Sequence, residues 1–169
     1  GGSKFFINFA IGATGGKRGG PAKAAVVSSA LFGSVSGNSV ANVVSTGVFT
    51  IPLMKKIGYP SRYAGAVESV ASTGGQIMPP ILGSAAFIMA QLLGTSYINI
   101  VYASIVPALL YFFTVIIMID LQAAKLGLKG LPKNELPNLK SVLVKEGHLF
   151  IPLLVLIFTM TILHTSPIK

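Results

Sequence analysis

The chain has 169 residues, of which 52% are apolar, 19 are glycine and only 10% carry charge, where soluble domains average about 25% charged residues. Its mean hydropathy of +0.76 excludes an ordinary soluble domain. The net charge of +9 is gathered in short clusters beside long apolar intervals, the pattern of cytoplasmic loops rather than of a nucleic-acid surface, and the absence of cysteine removes disulfides, thiolate metal sites and cysteine nucleophiles.

Three charge-free intervals organise the chain: Ala24 to Met54 with 31 residues, Ser69 to Ile119 with 51, and Gly147 to Ile168 with 22, taking the two histidines as neutral. A spanning helix needs about 20 apolar residues. The sequence begins Gly1-Gly2-Ser3 without Met and without a cleavable signal pattern, and is expected to be an internal piece of a longer polypeptide.

Residues 1–22 begin with an apolar segment holding Phe5, Phe6, Ile7 and Phe9, too short to span and therefore a truncated or interfacial helix. A basic loop around Gly19-Gly20-Pro21 follows. Residues 23–56 are flanked by Lys17, Arg18 and Lys23 on one side and by Lys55, Lys56 and Arg62 on the other, so both ends read as cytoplasmic. As one helix the Ala24 to Met54 interval would be about 46 Å long, well beyond the ~30 Å hydrocarbon core. Folded in two around Ser36-Gly37-Asn38-Ser39, it becomes a re-entrant helical hairpin. Non-helical backbone at that depth is tolerated only where it is buried in protein or lines a water-filled cavity, so the tip is expected to be a site.

Residues 61–93 start as helix and then meet Ser72-Thr73-Gly74-Gly75-Gln76-Ile77-Met78-Pro79-Pro80. Two glycines favour unwinding and two prolines remove donors, which predicts a discontinuous transmembrane helix whose second half runs from Ile81 to Leu93. Residues 97–120 are predicted to cross back, 121–147 to form a cytoplasmic linker, and 148–164 to make a last span. The fold class is thus all-α integral membrane, with a re-entrant hairpin, a discontinuous helix and about two further spans.

Where a helix stops inside a membrane, its freed N–H groups attract anions and its freed carbonyls, with neutral side-chain oxygens, can ligate a desolvated cation such as Na⁺. Ser36, Asn38, Ser39, Ser72, Thr73 and Gln76 supply such oxygens at both breaks, and neither break holds a carboxylate. Small residues also serve plain helix packing in membranes, a reading that applies to Ser28, Ser29 and Gly33. Glu68 is read either as a proton- or ion-handling group or as a structural partner of Arg62 near the interface. Asp120, His148 and His164 fall at span ends. No metalloprotease or nucleophile-elbow motif occurs, and the chain does not read as an enzyme.

Four ordered motifs, Gly19-Gly20-Pro21-Ala22-Lys23, Ser36-Gly37-Asn38-Ser39-Val40-Ala41-Asn42, Thr50-Ile51-Pro52-Leu53-Met54-Lys55-Lys56-Ile57-Gly58-Tyr59 and Ala71-Ser72-Thr73-Gly74-Gly75-Gln76-Ile77-Met78-Pro79-Pro80, resemble the large, DctM-type membrane subunit of TRAP transporters. Gly75-Gln76-Ile77-Met78-Pro79-Pro80 stands where dicarboxylate-type subunits tend to read Gly-Pro-Ile-Ile-Pro-Pro, and in this the chain looks like the fused permeases of the TAXI type. The resemblance implies half of an ion transporter superfamily fold, lacking the second, inverted repeat. It also implies sodium-coupled, elevator-type uptake of a small, usually anionic organic solute from an extracytoplasmic binding protein. Location would be the prokaryotic cytoplasmic (inner) membrane, multi-pass in lipid, with the rest of the permease (second repeat and small membrane part) as partner, no nucleic acid and no cofactor beyond the coupling ion. Carried over residue by residue, it gives Ser36, Gly37, Asn38, Ser39, Asn42, Ser72, Thr73, Gly74, Gly75, Gln76 and Pro79 as sodium- or substrate-binding, with Na⁺ expected at Ser36, Asn38, Thr73 and Gly75. A channel or pore subunit with a re-entrant loop is the alternative, although the tip has neither a filter run nor a charged ring.

Overall fold

The computed structural model describes residues 2–162, with side chains as far as Thr159; His164 therefore lies outside the described residues. All regular structure among them is helical. The elements are α1 (Gly2–Thr14), α2 (Gly20–Ser36), α3 (Ser39–Lys56), α4 (Ser61–Gly74), α5 (Ala85–Leu92), α6 (Tyr97–Lys125), α7 (Leu139–Glu146) and α8 (Ile151–Ile162), with short 3₁₀ turns at Gly75–Ile77, Lys133–Glu135 and Gly147–Phe150.

The α2–α3 hairpin is dictated locally. Pro21 sits in the first turn of α2, where its missing N–H costs nothing. At the other end Gly37 adopts a left-handed φ of 59° and its N–H returns to the Gly33 carbonyl at 2.8 Å, a helix stop that favours glycine. Asn38 then caps α3, its side chain accepting from the Ala41 N–H at 3.0 Å. The turn is thus only Gly37 and Asn38; Ser36 and Ser39, expected in the break, are helical. On α3, Asn42, Thr46 and Thr50 are buried against α2 and α4 while Val40, Val44 and Val48, also spaced by four, are exposed.

The second broken element differs in register from its expectation. Helix α4 continues through Ser72, Thr73 and Gly74 before one 3₁₀ turn, and α5 begins at Ala85 rather than Ile81. The amides that would have started a helix at Ile81 are bound elsewhere: Ile81 N–H to the Ser34 carbonyl at 3.2 Å, Leu82 N–H to the Tyr97 hydroxyl at 3.1 Å, and Gly83 N–H to the Gln76 carbonyl at 2.7 Å. The Pro79–Pro80 peptide within this extended run is cis.

Helix α6 runs past Asp120 to Lys125, further than the expected 97–120, and Asp120 pairs with Arg18 and Lys23. That carboxylate raises the Arg18 pKa above its ordinary value through its hydrogen bond. The expected linker contains α7, capped by Asn138, and Leu139 lies against Gly12 of α1. Helix α1 is packed against the rest of the chain: Phe5 and Ala10 are fully buried, and the Phe5, Phe6 and Phe9 rings surround Phe150 at 4.9, 6.0 and 5.7 Å. The central core joins α2, α3, α4 and α6, with Met54 and Phe112 packed among small side chains including Ala25, Val26 and Ala64 that let backbones approach closely.

At the basic end, Tyr59 stacks on Tyr63 with ring centroids 5.3 Å apart. Its buried hydroxyl has no hydrogen-bond partner among the described residues, and burial pushes its pKa up to about 12. A Cβ on Gly19 would stand 2.7 Å from that oxygen. Two helical stretches, Tyr97–Lys125 and Lys133–Thr159, are long and apolar enough to cross a membrane.

Gly19, Tyr59 and Ala123 meet at this end, so the α1–α2 loop and the C-terminus of α3 lie together. Single cysteines at the exposed positions Lys17 and Lys55 are therefore expected to react with a membrane-impermeant maleimide from the same side; labelling from opposite sides would sink the hairpin.

Candidate functional site

The hairpin tip and the broken helix interlock. Gly33, one turn before the end of α2, touches Gly75 backbone to backbone: a Cβ on Gly75 would lie 2.8 Å from the Gly33 Cα, and a Cβ on Gly33 would run into the Gly75 Cα. Gly37 is pressed in the same way on the extended run, where an added Cβ would meet the Leu82 carbonyl oxygen at 2.6 Å. Across this seam the Gln76 Nε2 donates to the Ser39 Oγ at 2.9 Å.

Between the two breaks lies a cavity of about 350 Å³ whose lining includes Asn38, Ser39, Gln76, Ser84, Met89 and Ser104. Among the described residues no Lys, Arg or His lines it. The first turns of α3 and α5 both face it through Ser39, Val40, Ala85 and Ala86, so two helix N-termini, each the positive end of a backbone dipole, open on one space. Such ends present free N–H groups suited to an anionic group.

The expected site residues do not all meet at the cavity. Gly37, Asn38, Ser39 and Gln76 line the cavity, with Ser36 beside it, its Oγ 3.5 Å from the Asn38 N–H. Gly75 forms the crossing, and Gly74 is held where an added Cβ would strike the Tyr111 and Phe112 rings. Thr73 is exposed on α4 with its hydroxyl on the Ser69 carbonyl at 2.8 Å. Pro79 lines a separate apolar pocket with Ile98, Tyr102 and Ile105.

Asn42 and Ser72 lie deeper and turn away from the cavity. Both are fully buried. The Asn42 Nδ2 donates to the Ser29 carbonyl at 2.8 Å, and the Ser72 hydroxyl donates to Glu68 at 3.3 Å. Glu68, also fully buried, accepts in addition from Thr46, Thr50 and Ser29, and Arg62 makes no ion pair with it. Sequence reasoning missed Thr46 and Thr50, although Asn42, Thr46 and Thr50 form a polar stripe at helical spacing. It also missed Ser84 and Ser104, which carry no local signal beyond one hydroxyl in an apolar run. Among the described residues no cluster of three or more His, Cys, Asp or Glu could hold a metal ion.

Two stability effects follow from this geometry. Asn38→Ala removes the α3 cap and is expected to destabilise by about 1 kcal/mol, read as a lower thermal midpoint in detergent, while Asn38→Asp keeps the cap and stays near wild type. Gly75→Ala forces apart the crossing at a cost of about 1–3 kcal/mol; an unchanged midpoint would show that the two backbones are not in contact.

Residues 1–168 match the family profile described as the tripartite ATP-independent periplasmic transporter, DctM component. The chain is 35% identical over 141 residues to a C4-dicarboxylate TRAP transporter large permease protein, DctM, of Vibrio cholerae, covering 83% of this chain and 30% of that protein. It is 28% identical over 157 residues to the 2,3-diketo-L-gulonate TRAP transporter large permease protein YiaN of Escherichia coli, covering 91% and 36%. To the ectoine TRAP transporter large permease protein TeaC of Halomonas elongata it is 32% identical over 127 residues, covering 75% and 29%. The chain spans about a third of the length of these relatives.

Proposed function

The chain belongs to the DctM component family of tripartite ATP-independent periplasmic transporters, and on that premise we propose that it forms one half of the solute pathway in a sodium-coupled importer of small organic acids. The observation that carries this reading is the interlock of two broken helical elements around one cavity, the arrangement in which secondary transporters bind substrate and coupling ion near the bilayer midplane.

In this reading α2 and α3 are a re-entrant hairpin, α4 and α5 the halves of a discontinuous helix, and α6 and α8 further crossings of a prokaryotic cytoplasmic membrane. The solute's carboxylate is attracted by the N-termini of α3 and α5 and oriented by Gln76, Ser39 and Ser84, since the cavity lining among the described residues has no cationic side chain. Sodium is held by neutral oxygens at the tip and the break, from Ser36, Asn38, Thr73 and Gly75. Because Thr73 now spends its hydroxyl proton on the Ser69 carbonyl, its Oγ1 lone pairs stay available as a ligand. An extracytoplasmic binding protein delivers the solute, and the rest of the permease, with its second repeat and small membrane part, completes the site. Elevator movement carries hairpin and broken helix together, as their shared seam supports.

The relatives span dicarboxylate, diketogulonate and ectoine permeases, so the solute is best found by thermal-shift screening of the cognate binding protein against small organic acids. Uptake is then measured with the full-length permease and binding protein in proteoliposomes. An inward Na⁺ gradient is expected to drive accumulation, and Asn38→Ala to reduce it by about tenfold, the equivalent of about 1.4 kcal/mol. Uptake indifferent to Na⁺ would remove the sodium assignment while leaving transport in place.

A further inference from the structure

Glu68 is a fully buried carboxylate of α4 that no part of the proposed solute and sodium site uses. Its Oε1 receives the Thr46 hydroxyl, the Ser72 hydroxyl at 3.3 Å and the Ser29 hydroxyl at 3.4 Å, and its Oε2 receives the Thr50 hydroxyl. The helices packed on α4 bear charged or titratable groups of their own. Helix α2 has Lys23, which pairs with Asp120 of α6. Helix α3 has Lys55 and Lys56, the latter paired with Glu135. Helix α4 itself has Arg62 and Tyr63, and α6 further has Tyr97, Tyr102, Tyr111 and Lys125, with the Tyr111 hydroxyl on the Val70 carbonyl and the Tyr97 hydroxyl on the Leu82 N–H. The Gly75–Ile77 turn has none. Among the described residues none of these groups hydrogen-bonds or ion-pairs with Glu68.

A buried carboxylate surrounded only by hydroxyls is costly as a mere packing device, since a neutral or apolar side chain avoids the desolvation of a charge. The hydroxyls here have a further property. Thr46 Oγ1 also reaches the Asn42 carbonyl at 2.8 Å, and Thr50 Oγ1 the Thr46 carbonyl at 3.1 Å. A hydroxyl carries one proton and two lone pairs, so each threonine can donate either to Glu68 or to its own helix. With Glu68 ionised, both threonines donate to the carboxylate. With Glu68 protonated on Oε1, its new O–H donates to Thr46 Oγ1, and the Thr46 proton turns to the Asn42 carbonyl or Oδ1. Neither state leaves these buried groups unpaired.

We propose that Glu68 is a proton-binding site of the transporter, whose occupancy is read by the contact between hairpin and broken helix. The proton comes from water on one face of the membrane, forms an O–H bond on the carboxylate, and returns to water on the other; no electron moves. The readout runs through Thr46, which lies 3.3 Å from the Asn42 Oδ1. The Asn42 Nδ2 in turn stands beside the Gly33–Gly75 crossing, 3.0 Å from where a Gly75 Cβ would be. A change in the Thr46 donor direction therefore changes the partner set of the residue that abuts the seam. This inference rests on the transport reading and adds a second coupling ion to it.

The full-length permease in lipid, titrated in an infrared cell, is expected to show a protonated-carboxyl stretch that grows as pH falls and that Glu68→Gln lacks; the same band in Glu68→Gln overturns the inference. In the uptake assay, an inward proton gradient at equal Na⁺ is expected to raise wild-type accumulation several-fold and to leave Glu68→Gln accumulation where it stands without the gradient. Wild-type uptake that follows Na⁺ and ignores the proton gradient overturns the inference and leaves the transport reading standing. Absence of uptake under either gradient removes the transport reading and this inference with it. The wild-type arms need no variant, so a Glu68→Gln protein that fails to fold does not shelter the proposal.

Discussion

Everything that can be called a site in this chain depends on the approach of Gly33 to Gly75. Two helices cannot bring their backbones into contact where either bears a side chain, and here both partners lack one. That contact fixes how far α2 overlaps the end of α4. It thereby sets the tip residues Gly37 and Asn38 against the run from Ile81 to Gly83, and the Gln76 amide within reach of Ser39. The cavity is the space left over when these fragments are locked together. Its polarity comes from helix ends and neutral side chains, a field that is oriented but modest.

The features most readable from sequence were those imposed by lipid on the backbone. An apolar interval too long for one crossing, basic at both ends, had few solutions other than a hairpin, and Gly37-Asn38 names the turn chemistry outright. The pair of glycines and the pair of prolines announced a break after α4. Its register was less accessible, because the residues that delay α5 to Ala85 do so through distant partners, the Ser34 carbonyl and the Tyr97 hydroxyl. Burial of α1 was hidden for a similar reason: its aromatic face is satisfied by Phe150, nearly the whole chain away. Helix α7 was hidden inside a segment whose Gly, Pro and Lys content reads as linker.

Within the candidate site, the sequence separated poorly what points to the cavity from what points to the core. Asn42 and Ser72 stand in the same motifs as Asn38 and Gln76, yet they face Glu68 and Ser29 instead. One helical turn is enough to move a polar group from one environment to the other, and motif adjacency carries no information about which occurs. The polar stripe of Asn42, Thr46 and Thr50 is a more informative signal, since a spacing of four on an otherwise apolar helix demands a polar partner on the facing element. Glu68 is that partner for Thr46 and Thr50, and the Ser29 carbonyl for Asn42.

The same stripe makes α3 dependent on its neighbours. Helix α3 carries exposed Val40, Val44 and Val48 on one side and buried Asn42, Thr46 and Thr50 on the other, and an isolated helix of that kind meets hydrocarbon with three side-chain polar groups uncovered. Its cover comes from α2, which precedes it in the chain, and from α4, which follows it. The polar face of α3 is thus covered only when α2 and α4 are both in place, which makes hairpin and broken helix interdependent as structure.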